Sequence, residues 1–459
     1  MNPNGNASSN STASESIARW AIESPCDAWP SPVRALIRRA FIDTLAVTVL
    51  GARMAAPRQV AALEFERGAP GAASVYGMGR QCDPMGAALV NGTSAHAELF
   101  DDNSAPMIAH PSAPLVCSLL PLAQTRGSTG RQVLQAYGVG FEVGVALGRA
   151  MNPGLYERGW HVTRTLGLFG AVAACARLIG LDVDRTTHAL GIAASMTGGI
   201  RQNFGTMSMP LHVGLTCRDA VHAVLLAERG FEADRDALGG RYGFFNVFAG
   251  GAPGWPTFGS PLELQTSGII FKPYPCGAPT HAAVDAALAL RARLGSAIDT
   301  LESVTCFVHP WNAMTLRDGI PTDPLRAKVS MRFCVAAALR HGRLSWREFS
   351  DETLAEPGLQ DLMRRVSIRT ADDLPDNGEF PAEVEVRTRD GRCLSHRSDV
   401  PPGGSTRPLG DEQVIAKLRD CAAAALSPAA IEAVIEQVAR LDTLQEVGRL
   451  CVILEGAKG

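Results

Sequence analysis

Apolar positions recur at helical spacing through most of the first half of the chain. Val33, Leu36, Ile37, Ala40, Phe41, Thr44 and Leu45 form one such stripe. It predicts a helix with Ser31 at the N-cap, Pro32 at the first helical position and Gly51 as the C-terminal stop. A stripe of this kind is core. Small-residue and apolar runs follow at Met85 to Val90 and Leu115 to Ala123. A helix after Ser128-Thr129, running to about Met151, carries Gly138, Gly140, Gly144 and Gly148. Each exposed glycine would cost a helix about 1 kcal/mol, so these predict close backbone packing inside a core. Further helices are expected behind His161, with Thr163 or Thr165 as N-cap and Gly180 as the end, then from Asp184 to about Met196 and from Leu211 to Arg229.

Beyond about Gly250 the pattern changes. Gly, Pro and Trp cluster in GGAPGWPTFGSP, read as the way out of a first domain. A Pro-rich loop, FKPYPCGAPT, leads to a helix from Thr280. Val304, Cys306 and Val308 alternate with Thr305, Phe307 and His309, which predicts a strand. Val366 to Ile368 and Val384 to Val386 are further strands. Asp390-Gly391 signals a type I′ hairpin from the latter to Cys393–His396. A helix around Leu325 to His341 lies between them, and Asp411 to Leu454 is helical and expected to pack back on the first domain. The fold class expected is mainly α with a second α+β domain.

Composition narrows the function. Apolar residues make up 46% and charged ones 19%, and 43 basic against 46 acidic residues leave a net charge of -3. With no basic tract, nucleic acid is not expected as a partner. The eleven cysteines are scattered singly, which suggests neither a zinc site nor a disulfide framework and fits reduced thiols in a cytoplasmic protein. Residues 1–15 read as a disordered polar tail without the regions of a signal peptide. No stretch reaches the roughly 18 charge-free apolar residues of a membrane span. None of the helical glycines follows a predicted strand, so no dinucleotide cofactor is indicated.

Asn91 to Pro114 gathers His96, Asp101, Asp102 and His110 with Pro106, Pro111 and Pro114. The prolines forbid a continuous helix and shape an irregular loop between two helices. A titratable cluster so held is where chemistry is expected, the alternative being a solvated, capped turn. His161, at a helix N-terminus, feels the positive end of the dipole, which favours a neutral, basic imidazole. The Gly-rich loop ahead of Pro210 can present N–H groups and Arg201 to an anion.

Taken in order, NGTSAH…FDD…HPS, GWHVT, IRQNFGTMSMPLHVG, FKPYP and AKVSMRF resemble the MmgE/PrpD family across roughly residues 16–459. That family contains 2-methylcitrate dehydratase, cis-aconitate decarboxylase and iminodisuccinate epimerase. The resemblance implies a helical domain built from both chain ends (16–266 and 405–459), a smaller α+β domain (267–404), an active site in the cleft between them, and a homodimer. It also implies a small anionic polycarboxylate as substrate and no cofactor. His110 and His161 match family active-site histidines, Lys272 an active-site lysine, and Asp101 and Asp102 lie in the aspartate-rich motif. Three positions depart from the pattern. Leu99, with Glu98 beside it, replaces an acid, Met209 replaces a lysine, and Phe333 replaces the tyrosine of the decarboxylase.

The reactions of that family share one hard step, removal of a proton from carbon beside a carboxylate. General-base help supplies about 10²–10⁴-fold and a well-placed electrostatic donor roughly 10²–10³-fold, so a base and fixed cations are both required. His161 or His110 is expected as the base and the other as proton donor. Lys272, assisted by Arg201, would hold a carboxylate, and Asp101 or Asp102 would orient a histidine or bind a hydroxyl. Asn103, Met209 and Phe333 complete the expected substrate contacts. His96, His188, His212, His222, His281, His309, His341 and His396 are read as structural, and no metal-ligand spacing selects them. The leading expectation is a hydro-lyase, followed by an epimerase. A decarboxylase comes next, because Phe333 lacks a hydroxyl, and then an inactive helical scaffold.

Overall fold

The computed structural model describes residues 11–250, 256–315, 319–375 and 378–456. Of the expected polar tail, residues 1–10 lie outside that range. Ala13 onward is not tail: it opens a helix, Ala13–Glu23, capped by the Thr12 hydroxyl accepting from the Glu15 N–H. Part of the expected exit loop, residues 251–255, also lies outside the described residues.

One large core is built from helices. Ser31–Gly51, Pro84–Ala97, Ser112–Arg126, Gly130–Met151, Val162–Ile179 and Ser208–Glu228 pack together, and Asp411–Ala422, Pro428–Ala439 and Gly448–Leu454 share their apolar interior. Glycine decides how closely they approach. A Cβ on Gly140 would stand 2.6 Å from the Gly170 carbonyl oxygen, and one on Gly170 would stand 2.7 Å from that of Gly140. The glycines of Gly130–Met151 are therefore interior contacts, as their spacing suggested. Gly51 has the same job. A Cβ there would lie 1.9 Å from the Ser94 carbonyl, so Gly51 seats one helix on another and is not a left-handed stop.

Two expected caps differ. Ser31 is itself helical behind Pro30, with no side-chain cap. The helix Val162–Ile179 begins at His161, and Thr165 turns its hydroxyl back to the His161 carbonyl. That helix is long and apolar enough to cross a membrane by length and composition, yet it carries Arg164 and Arg177 and is 89% buried in the protein.

A second core lies between Cys276 and Val386. Of six strands among the described residues, β1 (Ala73–Val75) and β2 (Arg80–Cys82) make a separate ribbon. The others, β3 (Leu301–Val308), β4 (Val366–Thr370), β5 (Ala382–Thr388) and β6 (Cys393–Ser398), form one sheet in the order β4-β3-β5-β6, with only β3 and β4 parallel. Val304, Cys306 and Val308 face Val386, Val384 and Ala382 in register, all buried, while their neighbours are less so. This period of two is what the sequence showed. Helices His281–Leu294 and Met331–His341 cover the sheet.

The β5–β6 connection is not type I′. Only Gly391 takes a positive φ (86°), and its N–H donates to the Thr388 carbonyl, a four-residue turn ending in a left-handed glycine. The single helix expected around 325–341 is broken in two, Pro324–Ala327 capped by Asp323 and Met331–His341 capped by Ser330. The break turns Lys328 inward.

Candidate active site

Residues from both cores meet around a cavity of about 490 Å³. Its polar side is the loop after Pro84–Ala97. Leu99 (φ 52°) and Ile108 (φ 49°) sit in the left-handed region, costly for both and most of all for a β-branched residue. At Leu99 the turn aims a carbonyl at Lys272, whose Nζ donates to it at 2.8 Å. Asn103 and Ile270 exchange two backbone hydrogen bonds, at 2.8 and 2.9 Å, which tie this loop to the segment carrying Lys272.

Four histidines cluster here. His96 Nδ1 lies 2.8 Å from Asp101 Oδ2, so an ionised Asp101 takes the Nδ1 proton's hydrogen bond and leaves Nε2 as the basic nitrogen. His110 Nδ1 is 2.7 Å from the Asp102 carbonyl, which can only accept, so its Nε2 is likewise the free lone pair. The His96 ring stands edge-on to His110 at 4.7 Å and 5.7 Å from His161. His161 Nδ1 is 3.0 Å from His212 Nδ1, a contact that needs one proton between two nitrogens. With His161 basic at Nε2, its Nδ1–H donates to His212. The two histidine-bearing segments are joined directly, the His110 N–H donating to Thr163 Oγ1 at 3.2 Å.

Burial sets the protonation. It lowers His110 to about 3 and His212 to about 4, and it takes His161 well below the ordinary imidazole value, helped by the neighbouring rings. The adjacent acids diverge. Burial opposes ionisation of Asp101, but His110, His96 and Lys272 more than offset it and hold that carboxyl well below its usual range. Asp102 has no such cations in contact, and burial pushes it up to about 8 despite two hydrogen bonds from Ser112. Burial also lowers Lys272, although Asp101 works against this.

The structure brings His110, His161, Lys272, Asn103 and Met209 to the cavity wall. Asp101 and Asp102 are buried behind the histidines. Two expected contacts are not made. Arg201 lies flat on the Tyr156 ring at 3.7 Å and donates to the Tyr156 carbonyl, so it braces the wall from outside. Phe333 faces the second core, fully buried against Phe349 at 5.2 Å, because the helix break at Ser330 sets its direction.

Three histidines read as structural belong here instead. His96 and His281 line the cavity and His212 backs His161. His96 stands five residues before Asp101, and His212 is inside the MSMPLHVG motif, so both signals were present. Ser104, not singled out before, also lines the cavity. Its Oγ and Asn103 Nδ2 are buried without a hydrogen-bond partner, two groups suited to a ligand's oxygens.

Two further buried lysines support the frame. Lys328 Nζ is 2.6 Å from Glu98 Oε2, joining the second core to the loop, and Lys417 Nζ bonds Asp43 Oδ1 and the Phe100 carbonyl, each at 2.7 Å. Ligand atoms of His96, Asp101 and His110 come within 4.8 Å of one another, a grouping able to surround a cation. Such an ion would compete with the hydrogen bonds that engage Nδ1 of both rings.

Two family models match in tandem, the MmgE/PrpD N-terminal domain over residues 15–255 and the MmgE/PrpD C-terminal domain over residues 274–442. Similar proteins include a cis-aconitate decarboxylase of Homo sapiens, 28% identical over 386 residues (81% of this chain, 80% of the relative). One of Mus musculus is 26% identical, with 91% and 88% covered, and one of Aspergillus terreus 26% identical, with 95% of each covered. With the first model alone spanning more than half the residues and the second following in order, this chain belongs to the MmgE/PrpD family.

Proposed function

We propose that the protein is a cofactor-independent lyase acting on a small di- or tricarboxylate, and that loss of water is the reaction its site supports best. The observation that carries this is a pair of imidazoles at the cavity wall, half-buried His110 and buried His161, kept neutral with Nε2 free beside the Lys272 ammonium. Neutral imidazoles suit a reaction that begins with proton removal. His161 Nε2 takes the proton from carbon, and its Nδ1–H, bonded to His212, stabilises the imidazolium that forms. Lys272 has three N–H donors, and Leu99 uses one. The other two are available to a carboxylate and to the departing hydroxyl, so Lys272 is the acid. Its lowered pKa suits it to that role. His110, kept neutral, accepts a hydrogen bond from the substrate, a change from the donor role expected for it.

A second reading, loss of carbon dioxide, is favoured by the similar proteins, which are named cis-aconitate decarboxylases. The missing phenol at Phe333 does not count against it, since that side chain faces the second core. Incubation in deuterated water with 2-methylcitrate, citrate, cis-aconitate and iminodisuccinate, followed by proton NMR, tests both. Vinyl signals without gas are expected. Carbon dioxide release selects the second reading, deuterium uptake with inversion replaces both by an epimerase, and no change in any candidate points to the inactive scaffold or to a substrate outside this panel.

A further inference from the structure

The cavity lining is of two kinds. Besides the imidazoles and Lys272 it carries Tyr156, Phe204, Met209, Trp311, Val329 and Phe380, with Phe204 edge-on to the His161 ring at 4.9 Å. Trp311 stacks on Phe380 at 5.6 Å and 18° and lies 5.7 Å from Tyr156, giving a continuous aromatic surface. Formal charge on the lining is sparse. Lys272 stands against Glu157 and Glu379, and Arg201 is committed to Tyr156 outside the cavity. A trianion would find no excess of positive charge, and burying it would be costly. The volume, about 490 Å³, falls in the range that holds drug-sized ligands with mostly apolar contacts, about 300–1,000 Å³.

We infer that the substrate is a dicarboxylate bearing an apolar arm of several carbons, its carboxylates at Lys272, Asn103 and Ser104 and its arm against Trp311 and Phe380. This rests on the lyase reading and narrows it. For a 2-alkylmalate the step balances without any further reactant. The C3–H bond breaks with its proton going to His161, its electron pair forms the C2–C3 double bond, and the C2 hydroxyl leaves as water with a proton from Lys272.

Two series test the inference. Turnover is measured on 2-alkylmalates from methyl to hexyl, with citrate and 2-methylcitrate as trianions. Binding is measured by calorimetry on 2-alkylsuccinates, which lack the leaving hydroxyl. Each added methylene is expected to raise kcat/KM, and lower Kd, by about three- to fourfold until the wall is covered. Trp311→Ala should flatten both slopes, and Met209→Lys should shift preference towards citrate. Flat or falling slopes, or a trianion as the best substrate, overturn the inference while leaving the lyase reading standing. Turnover of no acid in the panel overturns the lyase reading, and the succinate affinities then decide the binding class by themselves.

Discussion

On one side of the cavity, polar groups are withdrawn from water: His161 is 4% exposed, Lys272 1% and His96 1%. On the other, Trp311 and Phe380 are large apolar groups only half-buried. The histidine side is anchored in the helical core, where Nδ1 of each ring is matched to a carboxylate, a carbonyl or another ring. The aromatic side draws on both cores: Trp311 and Phe380 come from the segment of the smaller one and stack on each other, and Tyr156 meets Trp311 from the helical one. Pre-arranged dipoles in a water-poor wall yield large, discrete effects when one is removed, whereas an apolar wall yields graded effects with area.

The sharpest break of that comparison is His161→Ala. Loss of the base should lower kcat by about 10²–10⁴-fold, read in steady-state kinetics with the thermal transition nearly unmoved. Lys272→Met comes next. It keeps the volume but removes the ammonium that meets the substrate, and kcat/KM should fall roughly 10²–10³-fold. Wild-type rates in both variants would place the chemistry elsewhere.

Much of this wall was legible in the sequence, and the reasons differ by residue. His110, His161 and Lys272 sit in short motifs, and the helices that follow the two histidines show their apolar runs plainly. The left-out residues depend on distance along the chain. His212 meets a ring 51 residues away, and Lys328 bonds Glu98 and the Pro275 carbonyl, both far from it in sequence. Phe333 and Arg201 failed for a related reason. Residue type announces a capability, but direction comes from a helix break at Ser330 and from the Tyr156 face, which no local pattern encodes. The two expected caps shifted by a residue or more, with Pro30 preceding a helical Ser31 and His161 taking the position expected of Thr163 or Thr165.

A smaller effect separates the ring behind His161 from mere packing. His212→Ala should cost about tenfold in kcat, the worth of one buried hydrogen bond of about 1.4 kcal/mol. His212→Asn places an amide oxygen near the position of Nδ1 and should recover most of the rate, with KM little changed in either variant. Equal losses in both would reduce His212 to a filler of space.

The smallest change expected is in the pH–rate profile, and its flatness is the point. A base of ordinary imidazole pKa, about 6.5, would lose roughly eightfold between pH 7 and 5.5. His161 is held well below that value, and Asp101 stays ionised across the range, so kcat/KM should change less than twofold there. The stability held in neutral His110 is complete above the unfolded value, about 6.5, and is lost progressively as pH falls from there to about 3. On the alkaline side the signs reverse. Asp102, raised to about 8, binds its proton more tightly folded than unfolded, so its stabilisation is present below about 4 and is lost as pH rises through 8. Lys272, lowered by burial, gives up its proton earlier than an exposed lysine, so the rate should fall on the same side. Asp102→Asn separates the two. It should remove the alkaline decline of the thermal transition, measured by calorimetry, and leave the decline in rate, since the amide cannot ionise while the ammonium still does.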